Sequence, residues 1–418
     1  VGRPLIPLVG EILDHSINGD DIDGMWIVCG DQSNRYLARN PTEVDGRQIF
    51  LFDPVTSPER PIGEFLCLSS SLSHLQFHDI VTFSLGNRRV YVQWKNGSQS
   101  NSVLLTERCD NYCVMCSQPP KTQIDDHLLK NAHDLVSALK LIHVQYPTIG
   151  LTGGEPTLYG TELIGLIERI LEELPELDIH LLTNGRRFAD IDFCEQFQRV
   201  LCERLVLGIP VYGSIADDHD RTVGASGAFF DTIQGVQNLL ERHAQIELRV
   251  VIQKSTFQIL GDLSNFIVRN LPGVAQVSLM GLELMGFART NFDKVWVDPI
   301  DYIDELRNAV RLLDIHGFNP RIFNHQLCVI DPDIRSFAVR SISDWKQDYD
   351  EICDECALRP ECGGFFSSSE LAISRAIKPM KHMQDQPALL HRKSDSNKDV
   401  NSTSYSRRRL KVSVDPCN

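Results

Sequence analysis

Apolar and polar positions change rhythm near residue 100. Before it, short β-like runs at 25–29, 48–52, 80–85 and 90–94 are broken by turn residues, with Gly86-Asn87 between the last two. They predict a small β-rich domain over 1–100. After it, strand-like runs at 103–106, 149–152, 179–183, 205–209, 248–252 and 274–280 alternate with segments of helical period near 126–143, 160–173, 190–203, 229–243 and 259–270. Six strands alternating with helices predict an α/β domain over 101–315, its parallel sheet either doubly wound or curled into a partial barrel, with a further helix near 300–315. Residues 316–370 have little periodicity, so something other than an apolar core must hold them. The Ser/Asn-rich end, 371–418, reads as a flexible tail.

Composition narrows the reading. The 418 residues are 42% hydrophobic, enough for a real core, and carry 41 Lys+Arg against 56 Asp+Glu, a net charge of -15. The tail, with Arg407-Arg408-Arg409, holds 10 basic and 4 acidic residues, so it is +6 and the remainder -21. An acidic body argues against nucleic acid as a partner, because most affinity for phosphate backbones comes from Lys and Arg displacing counterions. Residues 1–16 lack a signal-peptide pattern and no run reaches the length of a membrane span, so a cytoplasmic protein without membrane contact is expected. The chain begins with Val rather than Met, and its true amino terminus is expected to lie upstream. In that compartment the 12 cysteines point to metal or redox chemistry before disulfides.

Cys109, Cys113 and Cys116 follow the first strand of the alternating region in a C-x3-C-x2-C pattern. Three thiolates within eight residues can ligate three corners of a cluster and leave the fourth open; a zinc knuckle borrowing a remote ligand is the alternative. At the end of the second strand stand Gly153, Gly154 and Glu155. The glycines would let backbone approach a ligand, and the carboxylate could accept hydrogen bonds from an ammonium group, although an ordinary strand-to-helix turn has the same residues. Downstream, Cys328, Cys353, Cys356 and Cys362 have the count of a closed metal site, for which structural zinc is one reading. Cys29, Cys67, Cys194, Cys202 and Cys417 receive no role, and Cys194 and Cys202 read as buried apolar residues of one helix. The acidic run 217–220 reads as a metal or cationic-substrate site, or equally as a solvated helix start.

The three-cysteine spacing after the first strand of a partial (β/α)6 TIM-like barrel resembles the radical S-adenosylmethionine (radical SAM) superfamily. That resemblance implies a [4Fe-4S] cluster on Cys109, Cys113 and Cys116 whose open iron chelates SAM, and an electron donor such as flavodoxin or ferredoxin. It further implies reductive cleavage of SAM to a 5'-deoxyadenosyl radical that abstracts hydrogen from a substrate. Gly153, Gly154 and Glu155 would hold the SAM amino group. Asn184 and the run 210–213 would meet SAM or substrate, and Arg249 would reach the SAM carboxylate unless it pairs with a core acid. Met115 stands where the superfamily usually has an aromatic residue near adenine, and a soft apolar side chain can fill that place.

The C-x2-C-x5-C spacing of Cys353, Cys356 and Cys362 resembles the carboxy-terminal auxiliary-cluster extensions of peptide-modifying radical SAM enzymes, which implies a second [4Fe-4S] cluster completed by Cys328. Segments 104–121, 212–220, 284–288 and 341–346 together resemble the His-Xaa-Ser system radical SAM maturases of the HxsC type. Those are bacterial proteins associated with a second radical SAM maturase and a small partner carrying His-Xaa-Ser repeats. The link implies a peptide or protein substrate, with the amino-terminal β domain as a place to engage its leader. Two other expectations stay open: a radical SAM enzyme acting on a small molecule or nucleoside, and a zinc-stabilised interaction protein.

Overall fold

The structure, a computed structural model, describes residues 8–15, 17, 24–31, 35–39, 48–52, 63–68, 75–85, 88–344 and 346–381. Gly86-Asn87, Trp345, Cys417 and the basic triplet at 407–409 lie outside them. The described residues all belong to one compact unit, and 382–418 lie outside them.

Seven strands make the amino-terminal part: β1 (Leu8–His15), β2 (Trp26–Asp31), β3 (Arg35–Arg39), β4 (Gln48–Phe52), β5 (Phe65–Leu68), β6 (Ile80–Ser84) and β7 (Arg89–Trp94). They close into a barrel in the order β1-β5-β4-β3-β2-β6-β7, with β7 pairing back to β1. Alternate residues fill its interior, among them Trp26 and Val28, Ile49 and Leu51, Leu66 and Leu68, Val81 and Phe83, and Val90 and Val92. Met25, Ile27, Ile80 and Trp94 instead join the main core of the chain. Where the barrel ends, buried Asp79 accepts from the backbone N–H groups of Gln76 and Asn96 and pairs with Lys95 at 2.9 Å.

The larger part is an eight-stranded sheet in the order β15-β14-β13-β12-β11-β10-β9-β8, parallel throughout. Its strands are β8 (Ser102–Thr106), β9 (Thr148–Gly153), β10 (Asp178–Leu182), β11 (Leu205–Pro210), β12 (Gln245–Val251), β13 (Gln276–Met280), β14 (Pro320–Phe323) and β15 (Ala338–Val339). The six expected strands are all present; β14 and β15 extend the sheet beyond six. Around it lie α1 (Asp126–Leu139), α2 (Thr161–Glu173), α3 (Ile191–Phe197), α4 (Ala216–Val223), α5 (Ala228–Glu241), α6 (Leu260–Asn270), the short α7 (Phe287–Thr290) and α8 (Phe292–Val295), and α9 (Ile303–Ile315). The third helix is shorter than its periodicity suggests: Cys194 is buried as expected, but Cys202 falls beyond the helix and is exposed.

The choice between a doubly wound sheet and a partial barrel is decided by which strand faces meet helices. Ile149 and Leu151, Ile179 and Leu181, Leu207 and Ile209, Leu248 and Val250, Val277 and Leu279, and Ile322 all pack in one core with Leu163, Ile167, Val236, Leu263, Leu306 and Val310 of the helices. One face of every strand is therefore covered by helices, and the other lines a lumen, as in a partial barrel.

That lumen is polar. Glu247, buried on β12, lies 3.0 Å from Arg249 Nη1 and 2.8 Å from His180 Nε2, and accepts from Ser278 Oγ and Gln276 Nε2. Gly208 makes room for them: a Cβ there would sit 2.8 Å from His180 Nε2 and 3.0 Å from Arg249 Cδ. Burial alone would raise the Glu247 carboxyl, but Arg249, His180 and Ser278 outweigh it and hold its pKa well below the usual carboxylate range. Because the folded pKa is depressed, this stabilisation is present above the ordinary carboxyl value of 4.5 and fades as pH falls towards the folded one. Glu247→Gln, which strands Arg249 beside a neutral amide, should cost about 3–5 kcal/mol at pH 7 and less at pH 3, measured by denaturant unfolding.

Candidate functional site

The three-cysteine loop leaves the carboxy-terminal end of β8 and is pinned on every side. At its base, Asp125 takes Thr106 Oγ1 at 3.0 Å, Glu107 N at 2.5 Å and Arg108 Nε at 3.0 Å. Along the loop, Tyr112 N and Val114 N donate to Val223 O and Thr222 O of α4, Asn291 Nδ2 donates to Val114 O, and Phe287 N donates to Cys116 O. Asp110 within the loop takes Asn184 Nδ2 at 2.6 Å and pairs with Arg186 at 3.0 Å, and Arg186 reaches on to Asp231 of α5. With the backbone thus spoken for, the thiols are what the loop has left to offer.

Those thiols lie close enough to raise one another's pKa. Burial pushes Cys109 up to about 12, helped by Glu155, Asp110 and Cys116, and burial with the two neighbouring thiols pushes Cys113 higher still. Cys116, raised by burial, donates to Gln118 O at 2.9 Å. Metal is the natural relief for such a group, since it replaces the proton and stabilises the thiolate.

The 153–155 turn does something the sequence did not suggest. Gly154 N donates to Thr106 O at 2.7 Å and Glu155 N to Arg108 O at 2.8 Å, so this turn is bonded to the base of the cysteine loop. A Cβ on Gly153, at φ +145°, would lie 2.2 Å from Thr106 O, and one on Gly154 would lie 2.0 Å from Arg108 O. Both glycines make room for backbone of the same chain. The Glu155 carboxylate is buried; Oε1 accepts from Thr157 N, Thr157 Oγ1 and Thr183 Oγ1, and Oε2 accepts from Asn184 N at 2.6 Å. Burial raises its pKa against the pull of those donors. It ties the ends of β9 and β10 together, and Oε2, which accepts from Asn184 N, keeps capacity to accept another.

The other sequence-derived residues take varied places. Asn184 faces Asp110, as above, and its Oδ1 accepts from Arg186 N at 3.0 Å. Met115 is buried in a satellite apolar cluster with Tyr212, Val223, Ala228, Ala288 and Val295. Arg249 is an inward arginine paired to the core acid Glu247. The 217–220 run opens α4: Asp217 and Asp218 pair with Arg221, the latter at 2.5 Å, and Asp220 caps the next helix by accepting from Gly227 N and Phe229 N. The helix-start reading accounts for all three carboxylates.

Three further groups surround the loop, of which only Tyr212, within the 210–213 run, carried a sequence signal. Tyr212, in the 210–213 run, is buried with its phenol within electrostatic reach of Cys113, Cys116 and Arg249, and burial raises its pKa. Gln253, wholly buried after β12, leaves Oε1 without a partner among the described residues, with its Nε2 beside Met115. Arg186 and Asp110 together brace the loop.

Cys328, Cys353, Cys356 and Cys362 also gather, since Cys328, Cys356 and Cys362 all raise the pKa of Cys353 behind the larger effect of burial. A two-stranded ribbon of β16 (Gln347–Asp348) and β17 (Phe365–Phe366) closes the segment. Tyr349 Oη donates to Cys362 O at 2.8 Å; Gly364 N and Met380 N point at Cys362 Sγ and Cys356 Sγ at 3.5 and 3.4 Å. Among the described residues no group of three or more His, Cys, Asp or Glu is set as a ready-made metal site. The donor chemistry nonetheless suits iron–sulfur: soft sulfur ligands, three in one set and four in the other, with N–H groups aimed at sulfur in the second.

Residues 103–251, from β8 through β12, match the Radical SAM superfamily, and on that match this barrel is a radical SAM domain. Solved structures similar to the chain include SuiB from Streptococcus suis bound to S-adenosylmethionine, 14% identical with a TM-score of 0.44 over 54% of this chain and 50% of that one. They also include native anSMEcpe with bound AdoMet, 15% identical, TM-score 0.40, covering 52% and 61% of the two chains. A radical SAM methyltransferase from Sphaerobacter thermophilus is 13% identical, TM-score 0.38, covering 77% and 79%. The chain thus spans about half the length of the SuiB chain it matches. No curated protein matches the sequence. No described helix is long and apolar enough to cross a membrane.

Gly154→Ala should destabilise the chain by about 1–3 kcal/mol through overpacking. Gly165→Ala, mid-helix in α2 with nothing within 4 Å of the new Cβ, should stabilise it by about 0.5–1 kcal/mol. Melting temperatures of the two variants check both signs.

Proposed function

We propose that this radical SAM enzyme modifies a ribosomally made peptide or protein by hydrogen abstraction, with a His-Xaa-Ser repeat protein as its substrate. The observation that carries the radical SAM part is the docking of a three-thiol loop onto the 153–155 turn at one end of a parallel barrel. The peptide part is supported by the second thiol group and by the HxsC-like segments. Cys109, Cys113 and Cys116 would hold a [4Fe-4S] cluster, which when bound would supply the electron for reductive cleavage of SAM. Everything else falls to the chain's own residues.

Glu155 Oε2 and the backbone of Gly153 and Gly154 would receive the SAM ammonium beside Tyr212, while Arg249 is taken up by Glu247. Met115 and the orphan acceptor of Gln253 fit an adenine ring and its amino N–H. Cys328, Cys353, Cys356 and Cys362 would hold the auxiliary cluster. Flavodoxin or ferredoxin would serve as electron donor, a second radical SAM maturase as partner, and the cytoplasm as the place of action. The -15 charge of the chain suits a substrate rich in His or Lys. The amino-terminal barrel, closed among its described strands, offers no edge for a leader to pair with, so engagement there would run through side chains.

Anaerobically purified protein should be brown, with about eight irons and eight sulfides per chain for two [4Fe-4S] clusters. Colourless protein carrying zinc would sink the proposal. With dithionite, the wild type should form 5'-deoxyadenosine, and Cys109→Ala, Cys113→Ala and Cys116→Ala should each abolish it. Replacing Cys353 and Cys356 by Ala should lower iron to about four per chain. Mass spectrometry of the co-expressed His-Xaa-Ser partner should show a mass change that depends on Cys113.

A further inference from the structure

The barrel lumen holds one more cation than it has acid to pair. Strand register sets Arg249, Ser278 and Arg321 side by side across β12, β13 and β14, on the face opposite Ile322 and the helix-packed core. Glu247 is engaged by Arg249, His180, Ser278 and Gln276. Arg321 is half-buried and, among the described residues, has no ion-pair or hydrogen-bond partner. Burial lowers its pKa, and no carboxylate offsets that effect. A half-buried guanidinium that served only to support the fold would be paired, because an unpaired one destabilises it.

We infer that Arg321 is an anchor for a carboxylate of the substrate, presented to the lumen from β14. Two guanidiniums against one carboxylate leave a single positive charge, which a monoanion neutralises. A phosphate dianion would instead face Glu247 with a charge left over. The planar fork of an arginine also matches a carboxylate in two parallel hydrogen bonds. Its position argues for substrate over SAM: β14 lies outside residues 103–251, which match the superfamily, and beyond the six strands of the partial barrel. This deepens the peptide reading above, and the carboxylate comes from an acidic side chain or a chain end.

The test is binding to the full chain by calorimetry, with small probes. N-acetylglutamate α-amide represents an acidic side chain, N-acetylalanine a chain terminus, N-acetylglutamine α-amide the neutral isostere, and inorganic phosphate the dianion. At least one carboxylate probe should bind the wild type tenfold or more tightly than the neutral isostere, and Arg321→Met should erase that preference. Which of the two carboxylates binds more tightly identifies the source. Arg321→Met should also raise the melting temperature by about 2 °C, by removing a half-buried charge without a partner. Equal binding of carboxylate and amide, tighter binding of phosphate than of either carboxylate, or a lower melting temperature in Arg321→Met overturns the assignment. The assay needs no SAM cleavage, so a wild type that forms no 5'-deoxyadenosine would sink the proposed function and leave this result standing.

Discussion

The site depends on a close approach between two stretches of backbone. The turn after β9 lies so near the base of the cysteine loop that Gly153 and Gly154 have no room for a Cβ, and two N–H···O bonds run across the gap. From that contact the rest follows by short steps. Glu155, carried inward by the turn, gathers donors from Thr157, Thr183 and Asn184 and so fixes the end of β10. Asn184 then holds Asp110, and Arg186 ties Asp110 to α5. Three strand ends and the helices α4 and α5 thus position a loop that has little regular structure of its own. A cluster site needs that kind of support, because thiols on an unsupported loop would lose side-chain and backbone entropy on every ligation.

This changes what the glycines and the glutamate are for. Ligand approach and loop packing both demand Gly, and no sequence pattern separates them, because what a missing Cβ makes room for is a property of the partner surface. The same limit applies to Asn184, whose amide the resemblance points towards SAM while the geometry shows it bonded to Asp110. Neither finding removes these residues from the site. Glu155 Oε2 still has a place for a donor, and the backbone of the turn lies beside the thiols.

Other features were legible because their signal is local. Period-two runs located four strands of the amino-terminal barrel and all six of the expected parallel strands. β1, β3 and β5 escaped because they are short or mix polar with apolar residues, as in Arg35–Arg39. β14 is four residues with a proline and an arginine, too little for a pattern to rise above turn-like composition. The polar lumen was written in the sequence as alternation: Gln245, Glu247 and Arg249 fall on one face of β12, Ile246, Leu248 and Val250 on the other. What alternation cannot supply is the partner across the sheet. Arg249 finds Glu247 two residues away, while Arg321, on a strand with no acid in register, finds none.

The two cysteine groups differ in a way that bears on their chemistry. Cys109, Cys113 and Cys116 come from one loop, so that loop alone sets their spacing, and the protein elements beside it, Tyr212, Arg249 and the 153–155 turn, can be occupied by something other than a fourth ligand. Cys328 and the group at 353–362 come from two stretches separated by a 3-10 segment and β15. Gathering them closes a long chain loop, whose entropic cost grows only slowly with length and is offset by any metal that binds four sulfurs at once. Tyr349, Gly364 and Met380, which bond to the carbonyl or the sulfurs of that group, enclose it from the sequence on both sides. A set carried by one loop beside Tyr212 and a set gathered from two stretches and packed on the core are suited to different tasks: the first to a reaction with a bound molecule, the second to holding charge or shape away from it.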